Sequence, residues 1–244
     1  MIAYLPTYAT DNIAACARIC WLRASFTIVL AAAVLAGCAA LPDKPQRATL
    51  FDFGPGMVAS SAGAGSVQST ATPLPAATSA AIALDELATS GGLLDNTAVL
   101  YRLAYEDAQE LRAYSLARWT MPPAQLVRQR FRDQLGLTRP VYNARDSLAL
   151  NRGQGSALPL QLRLELQEFS HYFARPDAGV GLVKLRGTLV EVTPSGEKLI
   201  SQRTFSVQQP APTADAHGGV RALTLATDAA IAEVQQWLQD NSKR

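Results

Sequence analysis

A strict alternation of leucines with polar residues, between positions 160 and 167, constrains the fold of this chain more than any other feature. Leucine occupies every even position from Leu160 to Leu166, and a polar or charged residue follows each one. Because successive side chains of a strand point to opposite faces, the pattern predicts a β-strand with one buried face. The apolar positions become odd at Phe169, which predicts a bulge near Gln167 and Glu168.

Two further strands and a long helix are predicted after this strand. Val180–Val192 and Lys198–Val207 are separated by turn residues, so the three strands are expected to form an antiparallel meander. Beyond Thr213 and Asp215, which offer capping oxygens, apolar residues recur at helical spacing and predict a helix packed across the sheet. Its apolar stripe comprises Val220, Leu223, Thr227, Ala230, Ile231, Val234, Trp237 and Leu238.

The first half of the chain adds short strands and one helix. Strands are expected at 49–53, 80–87 and 97–105. A helix is expected to start at Pro122-Pro123, since proline suits a first helical turn, and to end at Gly136. This order of elements predicts an α/β fold, a compact sandwich of packed helices and a mixed, largely antiparallel sheet. Residues 57–79 are rich in Ala, Ser and Gly and are expected to form a flexible loop.

The N-terminus has the pattern of a secretory signal. Arg18 and Arg23 precede an uncharged run of about a dozen residues, which is short for a membrane span. The run ends in Leu35-Ala36-Gly37-Cys38, a sequence that resembles the lipobox of bacterial lipoproteins, in which the cysteine thiol is lipidated and the chain is cut before it. The alternative is a buried Cys38 thiol at the end of a transmembrane anchor. The expected organisation is a lipoprotein signal peptide at 1–37, a tether at 38–48 and one domain at 49–244.

Charge and cysteine content narrow the function further. The chain has 22 Lys+Arg against 20 Asp+Glu, and loss of Arg18, Arg23 and Asp11 with the signal leaves 20 against 19. This balance lacks the basic excess of a nucleic-acid binder, so no nucleic-acid partner is expected. Of the 3 cysteines only Cys38 remains after cleavage, so no disulfide forms within the mature chain.

Catalytic motifs are missing from the sequence. The chain has 2 histidines, His171 and His217, and no histidine pair at metal-ligand spacing. The position of His171 among aromatic residues favours a partly buried or loop histidine over a catalytic base. No Gly-x-Ser-x-Gly motif is present, and the glycine-rich stretch 153–156 lacks the lysine of a phosphate-binding loop. We therefore expect no enzyme activity, metal or cofactor; a periplasmic hydrolase that uses the two histidines is the enzymatic alternative.

One block of residues resembles a known family. Tyr…Trp-x-x-Pro-Pro, together with aromatic residues in the later strands and helix, is similar to the ABC-type transport auxiliary lipoproteins of the paraquat-inducible lipoprotein C type. The resemblance runs from about Cys38 to the C-terminus. Its aromatic and proline positions are interpreted as structural, and they are Tyr101, Tyr114, Trp119, Pro122, Pro123, Phe169, Phe205 and Trp237.

The resemblance implies a function and a location. It implies a fold like the N-terminal domain of TolB and a lipid-anchored protein on the outer membrane, facing the periplasm. It also implies a non-catalytic accessory role beside an ABC transporter whose partner protein carries a mammalian cell entry domain, with self-association as a further expectation. The loop at 57–79 is longer than expected for the family. A periplasmic lipid-binding carrier is the alternative function.

Overall fold

The computed structural model describes residues 46–55, 79–146 and 158–242. All of these except Gln46 belong to one compact unit, Arg47–Arg244. The strands are β1 (Thr49–Phe51), β2 (Ile82–Leu84), β3 (Ala88–Thr89), β4 (Ala98–Leu103), β5 (Arg112–Trp119), β6 (Val141–Asn143), β7 (Leu160–Arg175), β8 (Ala178–Thr193) and β9 (Gly196–Pro210). The helices are α1 (Pro123–Gly136) and α2 (Ala216–Ser242), and a 3-10 turn covers Gly92–Asp95.

The meander β7–β8–β9 contains the three longest strands of the sheet. Both of its strand pairs are antiparallel, as the sequence predicts. The register of β7 against β8 shifts between Leu166 and Glu168, which confirms the predicted bulge. Before the bulge Leu162, Leu164 and Leu166 are buried, and after it the odd-numbered Phe169 and Phe173 are buried. The bulge therefore keeps the apolar face of one long strand directed at one core.

Short strands occupy the other edge of β7. β2, β3 and β4 each pair with β7 in parallel, at successive positions along its length. β6 extends the sheet from β2, and β5 and then β1 extend it from β4. The sheet is thus mixed, with its long pairs antiparallel and most of its short pairs parallel, which confirms the predicted α/β class.

The two helices pack against the sheet and against each other. α1 has Pro123 as its first residue, where the missing N–H costs nothing, and buries Leu126, Val127, Phe131 and Leu135. The predicted stripe of α2 is buried along its whole length and covers β7, β8 and β9. Arg130 of α1 donates two hydrogen bonds to the carboxylate of Asp228 in α2, at 2.7 and 2.9 Å, and joins the two helices.

One strand prediction needs correction, and two strands of the structure were not predicted. Within the predicted strand at 80–87 only Ile82–Leu84 (β2) is a strand, and the short β3 follows at Ala88–Thr89; between them the Asp85 carboxylate accepts a hydrogen bond from Gln161 Nε2 at 2.9 Å. β5 was not predicted. The pairing of β5 with β4 has a register shift, between Ala98 and Leu100 on β4, and β5 shows no regular alternation of apolar and polar residues. β6 was not predicted either, and its three residues are too few to show a period. The predicted flexible loop lies outside the described residues, except for Ser79.

Candidate functional site

The aromatic residues of the family block lie in three places. Trp119, at the end of β5 just before α1, is buried; its ring centroid lies 5.6 Å from that of Phe53 and 5.7 Å from that of Phe169. Phe205 and Trp237 form a second contact, with ring centroids 5.7 Å apart, between β9 and α2. The third group contains Tyr101, Tyr114 and a residue that the block does not include, His171. Pro122 precedes α1 and Pro123 begins it.

The partly buried Tyr114 and the buried His171 form a polar pair. Tyr114 Oη lies 3.0 Å from His171 Nδ1, a hydrogen bond that joins β5 to β7. His171 is fully buried, and its Nε2 has no hydrogen-bond partner among the described residues. Burial lowers the pKa of His171 to about 4, although the Asp215 carboxylate acts in the opposite direction. The imidazole is therefore neutral at pH 7, so one ring nitrogen donates and the other accepts.

Tyr114 is neutral as well. Burial raises its pKa, and the nearby Tyr101 and Asp215 raise it further. The ring centroids of Tyr101 and Tyr114 lie 4.5 Å apart with the rings tilted by 37°, and the ring centroid of His171 lies 4.1 Å from that of Phe173. Two neutral polar groups enclosed by aromatic rings form a stable hydrogen bond because neither has to carry a charge out of water.

Glycines allow α2 to lie directly on this pair. A methyl group placed on Gly219 of α2 would lie 2.5 Å from His171 Nδ1 and 2.8 Å from its Cγ. One placed on Gly181 of β8 would lie closer than 3.0 Å to backbone atoms of Ala222 and Leu223 in the same helix. At Gly181 the backbone of β8 therefore contacts the backbone of α2 directly. At Gly219 the backbone of α2 packs against the His171 ring. No sequence signal relates these glycines to a histidine in another strand.

The start of α2 borders a small cleft. Thr213 Oγ1 and the backbone N–H of Gly218 donate to Asp215 Oδ1 at 2.7 and 2.8 Å, so Asp215 caps the helix as predicted. These hydrogen bonds lower the pKa of Asp215. The exposed His217 packs edge-on against Phe51, at 5.0 Å. The cleft holds about 250 Å³ and is lined by Thr49, Phe51, Tyr114, Ser115, Leu116, Ala117, Asp215, Ala216 and His217.

The geometry does not bring the two histidines together as a catalytic pair. His171 is enclosed and bonded to Tyr114, whereas His217 is exposed at the cleft. Within residues 46–55, 79–146 and 158–242, no three His, Cys, Asp or Glu side chains are placed to hold a metal ion. No helix in those ranges is long and apolar enough to cross a membrane. The Tyr114–His171 contact lies where the first turns of α2 pack on the sheet.

Several predicted site residues lie outside the described residues. These are the lipobox residues Leu35, Ala36, Gly37 and Cys38, together with the signal peptide and most of the tether. Sequence reasoning in turn missed the Tyr114–His171 pair, whose members stand 57 positions apart. It also missed the partly buried ion pair of Arg102 with Glu168, at 3.2 Å, and the buried Arg139.

Comparison with known proteins shows a shared fold. No protein-family model matches the chain, and no curated protein matches it in sequence. Among solved structures, protein XCC0632 from Xanthomonas campestris, of the DUF330 family, aligns with a TM-score of 0.54 at 16% identity, over 68% of this chain and 87% of its own. An uncharacterised protein aligns with a TM-score of 0.52 at 12% identity, over 79% and 99%. The shared property is the fold.

Proposed function

We propose that this chain is a lipoprotein, lipidated at Cys38 and held on the outer membrane, whose domain faces the periplasm. We propose further that it acts as a non-catalytic accessory of an ABC-type lipid transport system that includes a mammalian cell entry protein. The observation that carries the proposal is the lipobox Leu35–Cys38, placed directly after a positively flanked apolar run. A lipid anchor of this kind retains a folded domain at a membrane surface.

The fold supports the accessory role. The chain shares its architecture with a DUF330 protein. Two of the aromatic contacts join positions of the family block to each other, Tyr101 with Tyr114 and Trp119 with Phe169. These positions therefore shape the domain on which a partner would dock.

The clefts lined by described residues are small. Four clefts lined by described residues hold about 210, 290, 320 and 250 Å³. Pockets for drug-sized ligands span about 300–1,000 Å³. A diacyl lipid is larger than such ligands, so these clefts have room for a headgroup at most.

Membrane fractionation and cross-linking in cells test the proposal. Wild type should be labelled by palmitate, be recovered with the outer membrane, and cross-link to a mammalian cell entry protein. Cys38→Ala should lose the label and be released from the outer membrane. Cys16→Ala and Cys20→Ala are matched controls, because these thiols leave with the signal, and both should behave like wild type. A Cys38→Ala protein that stays on the outer membrane, or a wild-type protein that cross-links only to cytoplasmic proteins, would refute the proposal.

A further inference from the structure

Arg139 is a buried cation that has no ion pair with any described residue. It lies between the end of α1 and β6, and it is 3% exposed. Its Nε and Nη2 atoms have no hydrogen-bond partner, and no ion pair among the described residues includes it. Burial lowers the pKa of Arg139, with no opposing charge. An unpaired buried charge destabilises the folded state strongly, so binding of an anion to Arg139 would be favourable.

Several backbone acceptors near Arg139 in the chain have other partners. An arginine at the end of a helix usually bonds the last carbonyl groups. Here Leu135 O accepts from the backbone N–H groups of Thr138 and Arg139. Gln134 O accepts from the N–H of Leu137 and from Gln235 Nε2, and Pro140 O accepts from the N–H of Ile82. The guanidinium is thus not a helix cap.

The undescribed parts of the chain contain few acidic side chains that could pair with Arg139. Outside the described residues the sequence contains two acidic side chains, Asp11 and Asp43. The segments 56–78 and 147–157 contain none, and the second adds a further arginine, Arg152. An anion for Arg139 therefore has to come mainly from outside the polypeptide.

Two exposed apolar residues stand close to Arg139 in the chain. Leu137 is 69% exposed and Tyr142 is 36% exposed, two residues before and three residues after Arg139. Exposed apolar groups beside an unpaired cation match an amphiphile, whose charged group meets the cation while its chain covers the apolar groups. The planar guanidinium fork suits a phosphate group in particular.

We propose that Arg139 anchors a binding site for a phosphate group, of the kind that an anionic phospholipid headgroup carries beside an apolar chain. The site requires neither lipidation of Cys38 nor a transporter partner. A test of the site can therefore fail without contradicting the proposed function, and the reverse also holds.

Thermal unfolding of the purified mature protein in detergent tests this site. Phosphate stabilises proteins in general by exclusion from their surface, so the readout is the difference between wild type and Arg139→Met. Inorganic phosphate should raise the unfolding midpoint of wild type by about 3 °C more than that of Arg139→Met. Arg175→Met, which removes an exposed arginine, is the control and should respond like wild type.

A second arm identifies the source of the phosphate. Micelles containing phosphatidylglycerol, compared with phosphatidylcholine alone, should raise the wild-type midpoint and leave Arg139→Met unchanged if the ligand is a lipid headgroup. A response to inorganic phosphate alone would support the site and assign it to free phosphate. Equal responses of wild type and Arg139→Met in both arms would overturn the proposal.

The stability of Arg139→Met without anions is an independent check. Methionine replaces an unpaired buried charge with an apolar chain of similar length, so the variant should be at least as stable as wild type in anion-free buffer. A midpoint several degrees lower would mean that the fold already satisfies the guanidinium, and would also overturn the proposal. Arg139→Lys keeps the charge and loses the fork, so its phosphate response should be weaker than that of wild type.

Discussion

Replacement of Gly181 by alanine should separate α2 from the sheet. Gly181 lies on β8 under the helix, and an added methyl group would approach backbone atoms of Ala222 and Leu223 to less than 3.0 Å. Backbone atoms inside a helix cannot rotate away as a side chain can, so the helix has to shift. The helix buries its apolar stripe against the same sheet, and therefore the shift also loosens that packing.

The size of the effect follows from the cost of overpacking. An extra methyl group in a well-packed core typically costs about 1–3 kcal/mol, and contact with three backbone atoms places Gly181→Ala at the upper end, about 3 kcal/mol. For a domain of this size, 1 kcal/mol corresponds to roughly 2–4 °C in the unfolding midpoint. The expected loss is therefore about 6–12 °C.

Circular dichroism during heating and in urea measures this loss. Gly136→Ala is the matched control, because a methyl group there would meet nothing within 4 Å and the position is helical. It should be neutral or gain about 0.4–1 kcal/mol, since alanine restricts the unfolded chain. If Gly181→Ala unfolds within about 0.5 kcal/mol of wild type, the close crossing of α2 over β8 is wrong.

Two further predictions concern the buried polar contacts. The pKa of His171 is about 4 in the folded state against about 6.5 when unfolded, so its contribution is complete above pH 6.5 and is lost as the pH falls toward 4, by about 3 kcal/mol. Urea unfolding between pH 7 and pH 4 should show this slope; His171→Asn should flatten it, whereas His217→Asn should leave it unchanged. Arg130→Met should cost about 1.5–3 kcal/mol by breaking the bidentate bond to Asp228. The Arg112 side chain is 34% exposed against 12% for Arg130, so Arg112→Met should cost less than about 1 kcal/mol, and equal losses would argue against the helix contact.

Local patterns predicted the long elements of the fold well. The leucine alternation and its change of phase at Phe169 located β7 and its bulge, because burial on one face leaves a period of two in the sequence. The stripe ending at Trp237 and Leu238 located α2, and Asp215 located its start, since a capping oxygen is a local requirement. Pro123 marked the start of α1 for a similar reason.

The contacts that the sequence did not reveal are non-local. The pairing of Tyr114 with His171 depends on β5 and β7 lying on either side of β4, an order that no short-range pattern encodes. Gly181 and Gly219 look like ordinary strand and helix residues until the close approach of α2 is known. Arg139 looked like a basic residue after a helix, and only its burial without a partner marks it as unusual.

Mass spectrometry of the N-terminal peptide of the protein purified from membranes tests the proposed function most directly. The expected result is a peptide that begins at Cys38 and carries the added mass of diacylglycerol and a further acyl chain. A peptide with unmodified Cys38, or a chain that retains residues of the 1–37 segment, would contradict the proposal that this domain works from a lipid anchor.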